Sequence, residues 1–150
     1  MRLEPTWSSL GQAAGLAAHL SIKNAGSVTA VKVSDLQNLL ISNKAKLIYV
    51  SDVDADKTYF KAVQYFGLKG FYHDLYKLED INLLPLKVHK LQYRDASMYH
   101  NIEPEKTLDA KLADHWIDKL PSAKQKQAKQ IFTSKVWTRA GFLNAIYEQM

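Results

Sequence analysis

The feature that most constrains this chain is a run of small residues near its beginning. Six of the nine residues from Leu10 to Ala18 are glycine or alanine, and Gly11 and Gly15 stand four positions apart. Each glycine costs a helix roughly 1 kcal/mol relative to alanine, so close packing or binding should explain the presence of two glycines here. Small side chains let another surface approach the backbone, and free N–H groups at a helix start bind electron-rich oxygens. A tightly packed helix is the alternative reading, because this spacing alone is a weak signal.

The spacing of apolar residues predicts a mainly α, small multi-helical domain with at most a short pair of strands. Helices are expected to begin near residues 6, 34, 59, 107, 122 and 138, and extended segments are expected over residues 28–33 and 46–50. The side chains expected to cap these helices are Ser8 or Ser9, Ser34, Thr107 and Thr138. Residues 71–106 are less periodic, and we expect mainly loop there.

The composition excludes several classes of site. The chain has no cysteine, which excludes disulfides, zinc–thiolate sites and cysteine nucleophiles. No stretch reaches the ~18 apolar residues that a membrane span needs, and no targeting signal is visible. The net charge of +5 is modest. The lysine-rich stretch of residues 119–135 has few aromatic neighbours, so nucleic-acid binding is not expected.

Other polar clusters give no catalytic or metal site. Asp52, Asp54 and Asp56 alternate as in the first half of a calcium loop, but the required glycine and final acidic residue are missing. Acidic residues here are instead expected to favour the start of the helix that follows. The five histidines are scattered along the chain, so no metal site is expected and the catalytic residues stay unknown.

The first two dozen residues carry a resemblance to a known family. The run Arg2-Leu-Glu-Pro5, followed by Leu10-Gly-Gln-Ala-Ala-Gly15-Leu-Ala-Ala18, resembles the closing FAD-contact motif of a bacterial FAD-dependent oxidoreductase family. The likeness is densest over residues 2–24 and thins beyond residue 45. In such enzymes the chain returns to its dinucleotide-binding unit near its end, and a helix points its N-terminus at the flavin.

The resemblance implies a set of cofactor contacts in this chain. The backbone of the small-residue run would face the flavin ring or ribityl chain, and the charged residues before it would lie beside the ring. The implied FAD-contact residues are Arg2, Glu4, Gly11, Gln12, Ala13, Ala14 and Gly15. A helix N-terminus there would stabilise the negative charge that a flavin gains on reduction.

The chain also departs from this family in a decisive way. The family needs an opening Gly-x-Gly-x-x-Gly fingerprint to hold the pyrophosphate, and none of the six glycines fit that spacing. FAD is therefore expected in the complete parent protein and not on this chain alone, which we expect to be inactive by itself. The expected partner is an upstream dinucleotide-binding domain. Residues 1–45 are then the closing FAD-contact segment, and residues 46–150 are a helical C-terminal tail domain.

A weaker resemblance concerns the expected tail. The runs Tyr49-Val-Ser-Asp-Val53 and Tyr59-Phe-Lys-Ala-Val-Gln-Tyr-Phe-Gly67 resemble half of an S-layer-homology-type repeat. The run Trp137-Thr-Arg-Ala-Gly-Phe142 resembles the matching helix start. An ordinary amphipathic helix explains the same residues equally well.

A second hypothesis treats the chain as a stand-alone helical protein-interaction module without enzymatic activity. Its first helix would then pack against a partner or against its own copy, giving a homo-oligomer. The exposure of residues 2–20 distinguishes the two hypotheses. A flavin-contact helix without its parent exposes an apolar, small-residue face, whereas a self-sufficient module buries that face in its own core.

Overall fold

The computed structural model describes residues 4–23, 26–72, 75 and 101–150 of the chain. The helices found there are α1 (Glu4–Lys23), a 3-10 helix (Val28–Ala30), α2 (Val33–Ser42), α3 (Phe60–Leu68), α4 (Ala110–Asp118), α5 (Ser122–Thr133) and α6 (Arg139–Tyr147). These residues form no strand, and Thr107 and Thr138 make an isolated antiparallel bridge. The prediction of a mainly α, multi-helical fold is confirmed.

The chain divides into two compact units, Met1–Leu47 and Ile48–Met150. In the first unit α1 packs against α2 and against the 3-10 helix. Among the residues described in this unit, the only buried ones are Ser21, Leu40 and Ile41. The first unit therefore has a very small core for its length.

The second unit has a substantial aromatic core. The side chains of Phe66, Phe71 and Trp116 are at most 1% exposed. The ring centroids of Phe66 and Phe71 lie 4.7 Å apart, and those of Phe71 and Trp116 lie 6.4 Å apart. The Trp116 indole N–H donates to the Phe71 carbonyl at 3.0 Å, which satisfies its polar atom inside the core. Around this core α3 packs against α6, and α5 packs against both α4 and α6.

The extended segment expected over residues 46–50 is not part of a strand. A side chain supplies the partner that a neighbouring strand would have supplied. The amide of Gln64, which is 1% exposed, accepts from the Ile48 N–H at 2.9 Å and donates to the Ile48 carbonyl at 3.2 Å. Because both backbone groups of Ile48 are satisfied by one amide, the segment needs no second strand.

The extended segment expected over residues 28–33 is also wrong. Val28–Ala30 forms the 3-10 helix, and α2 already begins at Val33. The hydroxyls of Ser27 and Thr29 share a hydrogen bond of 2.8 Å. Such local bonds compete with strand pairing, and β-branched residues favour a strand only when a neighbouring strand is present to pack against.

Three of the four expected helix caps are wrong. α1 includes Glu4, so Ser8 and Ser9 lie inside it, and Pro5 suits its first turn. Ser34 lies within α2, whose first residue is Val33.

The caps of α4 and α6 give one correction and one confirmation. Asp109, and not Thr107, caps α4, and its carboxylate accepts from the Leu112 N–H at 2.9 Å. Thr138 caps α6 as predicted, and its hydroxyl accepts from the Gly141 N–H at 3.1 Å.

Most of the segment expected to be loop, residues 71–106, lies outside the described residues. Within the part of the chain that the structure describes, no helix is both long enough and apolar enough to span a bilayer.

Gly67 allows α3 to lie close to residue 48. A Cβ atom at Gly67 would overlap Ile48 Cδ1 and would lie 3.0 Å from both Ile48 Cγ1 and Tyr72 Cε2. Gly67 is inside α3 although glycine is a poor helix former, so close packing explains its presence.

We predict that Gly67→Ala destabilises the second unit. Overpacking costs about 1–3 kcal/mol, and the gain in helix propensity offsets at most about 1 kcal/mol. Urea unfolding followed by tryptophan fluorescence measures the difference. Ile48→Val removes the overlapping Cδ1 atom, so Gly67→Ala should cost less in that background. An equal cost in both backgrounds would show that Ile48 is not the cause.

Candidate functional site

The expected flavin-contact residues lie mainly along α1. Glu4, Gly11, Gln12, Ala14 and Gly15 are exposed. Ala13 is half-buried, and Arg2 lies outside the described residues. The structure therefore brings six of the seven residues onto one helix and leaves most of them open to solvent.

The position of the helix start changes the expected chemistry of this run. Residues 11–15 lie inside α1, more than one turn after Glu4. In an α-helix each N–H donates to the carbonyl four residues earlier, so the N–H groups of Gly11 and Gly15 are already used. The expectation of free backbone donors beside Gly11 is therefore wrong. The assignment of these residues to FAD stays a prediction that rests on their size and exposure.

α1 has apolar residues on two adjoining sides. One face carries Ala13, Leu16, Ala17 and Leu20, all half-buried, as expected for a face packed within the unit. The other face is open to solvent, with Trp7 66%, Leu10 55% and Ile22 79% exposed. At 100° per residue this second side spans about 120° and also holds Glu4, which is exposed, and Ser21, which is buried. We name its exposed apolar and glycine positions the exposed apolar face: Trp7, Leu10, Gly11, Ala14, Ala18 and Ile22.

The glycines of this helix have no packing role against the described residues. A Cβ atom added at Gly11 or at Gly15 would meet nothing within 4 Å. Both positions nevertheless carry the residue that most weakens a helix apart from proline. Packing against the described residues therefore does not explain their small size.

We predict that Gly11→Ala and Gly15→Ala each stabilise α1 in this chain. Helix propensity favours alanine by about 0.5–1 kcal/mol in a helix interior, and the added methyl group meets no atom. Far-UV circular dichroism during urea unfolding should show helix loss at a higher urea concentration. Gly67→Ala is the matched control, because the same substitution there is expected to destabilise. A loss of helix in the Gly11 or Gly15 variants would reveal a packing role.

A second cluster of polar side chains lies in the second unit. The Asp52 carboxylate accepts from the backbone N–H groups of Ile102, at 3.1 Å, and Glu103, at 2.7 Å. The Arg139 Nη1 atom donates to the Ile102 carbonyl at 2.9 Å and to the Glu103 carboxylate at 2.8 Å. The expectation that Asp52 serves a helix N-terminus is therefore wrong. It holds a segment fifty residues away.

The pKa shifts of Tyr59 and Glu103, in and beside this cluster, do not favour acid–base catalysis. Burial, together with the hydrogen bond to Glu105, raises the pKa of Tyr59 to about 12. The hydrogen bond from Lys106, with the charge of Arg139, lowers the pKa of Glu103 although burial opposes the change. Both pKa values move away from neutrality, whereas a general acid or base works best near it. We therefore assign this cluster a structural role.

A third feature is a shallow groove of about 490 Å³ along the outer side of α5. The residues that line it are Ser122, Gln125, Lys126, Lys129, Gln130 and Thr133. All belong to one helix face, and none is a carboxylate, an imidazole or an aromatic ring. In the described ranges, no group of three or more metal-binding side chains occurs either. The groove therefore offers no acid, base or metal ligand set for catalysis.

No family model, curated protein or solved structure matches this chain. The resemblance to an FAD-dependent oxidoreductase and the weaker one to an S-layer-homology repeat stay predictions that rest on the quoted residues.

We predict that Glu103→Gln destabilises the second unit in a pH-dependent way. Because the pKa of Glu103 is lowered in the folded chain, its ionised form stabilises the fold above the ordinary carboxyl pKa of about 4.3. That contribution is lost as the pH falls through the lowered pKa.

The measurement is urea unfolding at about pH 7 and at about pH 3, compared between wild type and Glu103→Gln. The difference in free energy of unfolding should be present at the higher pH and shrink at the lower one. Glu148→Gln, at the exposed end of α6, is the control substitution. A deficit of equal size at both pH values would contradict the electrostatic explanation.

Proposed function

We propose that this chain is the C-terminal part of an FAD-dependent oxidoreductase. It contributes the flavin-facing helix α1 and is not catalytic alone. The observation that carries the proposal is the exposed apolar face of α1, because four of its six residues belong to the run that resembles the family's closing FAD-contact motif. They are Leu10, Gly11, Ala14 and Ala18.

The weak core of the first unit supports this proposal. A unit of this size is hard to stabilise without disulfides, a metal or a partner surface. The chain has no cysteine, and the described residues offer no metal-binding group. A partner surface would add the stability that these devices give to other small units. A dinucleotide-binding domain of the parent protein would supply it.

The residues of α1 suit a supporting surface for a flavin and do not form a complete cofactor site. Gly11, Ala14 and Gly15 allow close approach to the helix, and the exposed Gln12 side chain is able to donate and accept hydrogen bonds. Glu4 is an exposed acid in the first turn. A bound flavin would supply hydride or electron transfer, while this chain would position it and exclude water. The pyrophosphate and adenosine would bind to the partner domain.

The alternative function is a stand-alone helical interaction module. A self-sufficient module would bury the apolar surface of its first helix in its own core, whereas Trp7, Leu10 and Ile22 are each more than half exposed. This exposure favours the fragment hypothesis. The second unit, with its own aromatic core, is the part that best fits a module.

We predict that the 150-residue chain does not retain FAD. After mixing with excess FAD and desalting, the protein peak should lack flavin absorbance, because the groups that bind the pyrophosphate are absent. In the complete flavoprotein, Gly11→Leu or Gly15→Leu should lower the ratio of flavin to protein. The new side chain would occupy the space where the ring approaches the helix.

The control for the complete flavoprotein is Ser9→Leu, which adds the same side chain on a different side of α1. It should leave the flavin ratio nearly unchanged. Unchanged flavin content in the Gly11 and Gly15 variants would remove the assignment of these residues. Flavin retained by the isolated chain would show instead that the chain holds a complete site.

A further inference from the structure

The net positive charge of the chain comes from one stretch of the second unit. Residues 119–147 contain six lysine or arginine residues and no aspartate or glutamate. The remaining residues carry 14 cationic and 15 acidic side chains, which nearly balance. The formal net charge of +5 therefore resides in this stretch. A concentration of one sign of charge bears on the partners of a protein more than on its fold.

Four of these six cations are already used within the fold. The buried Arg139 forms an ion pair of 2.8 Å with a carboxylate. The ammonium groups of Lys119 and Lys124 each donate to a backbone carbonyl, at 3.0 Å and 2.9 Å. Lys135 lies over the Trp137 ring, 4.1 Å from its centroid. Contacts within the second unit therefore account for these four side chains.

The other two cations, Lys126 and Lys129, are exposed on α5 and line its shallow groove. Among the described residues, neither forms an ion pair with a carboxylate. Ser122 stands one turn before them and Thr133 one turn after, so these four residues share one side of the helix. We name this side the lysine face, and it is about 17 Å long.

The charges around the lysine face are unfavourable for a helix without a partner. The first turn of α5 contains Lys124 and no acidic residue, although the helix dipole disfavours positive charge there. Lys126 and Lys129 are three residues apart, a spacing at which like charges repel each other. A solvent-exposed helix face usually alternates the two signs of charge. A negatively charged partner would replace both repulsions by attraction.

We propose that the lysine face docks an acidic segment of another protein. Carboxylates along that segment would pair with the two exposed ammonium groups. The exposed Ser122 hydroxyl and Gln130 amide, which line the same groove, would donate to its remaining oxygens. Exposed pairs of this kind give modest affinity, fast association and strong salt dependence, which suit a transient partner. The proposal goes beyond the flavin assignment and does not depend on it.

The composition of the groove favours a protein over a nucleic acid or a membrane. Its lining residues include no aromatic ring on which a base would stack. Two lysines are also far fewer than the roughly 6–10 phosphate contacts of a typical DNA-binding protein. A helix that lies on a membrane needs an exposed apolar side. The apolar side of α5, which includes the buried Ala128, packs instead within the second unit.

The test is the binding of an oligoglutamate peptide to the isotope-labelled 150-residue chain, followed by amide chemical shifts at low ionic strength. The shifts should concentrate on α5 and fade as salt is added, because salt screens exposed charges. The double variant Lys126→Gln, Lys129→Gln should bind about fivefold more weakly. The matched control is Lys61→Gln, Lys111→Gln, which removes the same charge from exposed positions on α3 and α4. It should leave the affinity nearly unchanged.

Equal weakening by the two double variants would overturn the proposal, because binding would then follow net charge alone. An absence of shifts on α5 would also overturn it. Single-stranded DNA or anionic phospholipid vesicles that shift the α5 amides, where the peptide does not, would assign the face to that partner instead. Since all four lysines are exposed, unchanged far-UV circular dichroism is expected for each variant and excludes misfolding. Each failure leaves the flavin assignment intact, because that assignment is tested by flavin content.

Discussion

The burial of apolar surface on α1 is the constraint on which the account of this chain depends. The helix carries apolar residues on two adjoining sides, and Trp7, Leu10 and Ile22 on one of them stay exposed. Leu40 and Ile41 are the hydrophobic side chains that the described part of this unit buries. Burying one large apolar side chain contributes about 1.5–3 kcal/mol, so two such residues do not offset the ordering of this segment. The missing stabilisation has to come from outside the unit.

The second unit, in contrast, buries its large apolar side chains within its own core. Its aromatic core is closed, and side chains complete the backbone hydrogen bonds that strands would have made. Gln64 pairs with Ile48, and Asp52 holds the N–H groups of Ile102 and Glu103. Glu103 has a φ of 51°, a conformation that is costly for a residue other than glycine. Its backbone and its side chain are both anchored, which explains how the conformation persists.

The sequence predicted the helical class well, because helices depend on local periodicity. The four-residue spacing of Leu108, Leu112 and Trp116 and the Thr138 cap are local signals. α6 begins directly after the predicted cap, whereas α4 begins at Ala110, so Leu108 lies before it. The start of α1 was misplaced because Ser8 and Ser9 are good caps in isolation, while Pro5 and Glu4 suit a first turn equally well. The expected strands failed because a strand needs a partner. The bond from Asp52 to Ile102 joins residues fifty apart and leaves no local pattern.

In the candidate site, too, local features were visible in the sequence and long-range features were not. The small-residue run was visible in the sequence because glycine inside a helix is costly. Its exposure was not visible, because exposure depends on which side of α1 packs against α2. The network of Asp52, Glu103 and Arg139 was missed because it joins residues far apart in the sequence. In the sequence each of them is indistinguishable from a surface charge. The structure adds to the sequence interpretation the exposure of Trp7, Leu10 and Ile22 on α1.

Native-state hydrogen exchange on the dilute 150-residue chain tests the central claim most directly. It compares the protection of backbone amides in α1 with that in α3 and α6. The account predicts that α1 amides exchange much faster than those of α3, because the first unit lacks the core to hold its helix closed. Equal protection of α1 and α3 in the monomer would contradict the account, because it would show that the first unit is stable without a partner.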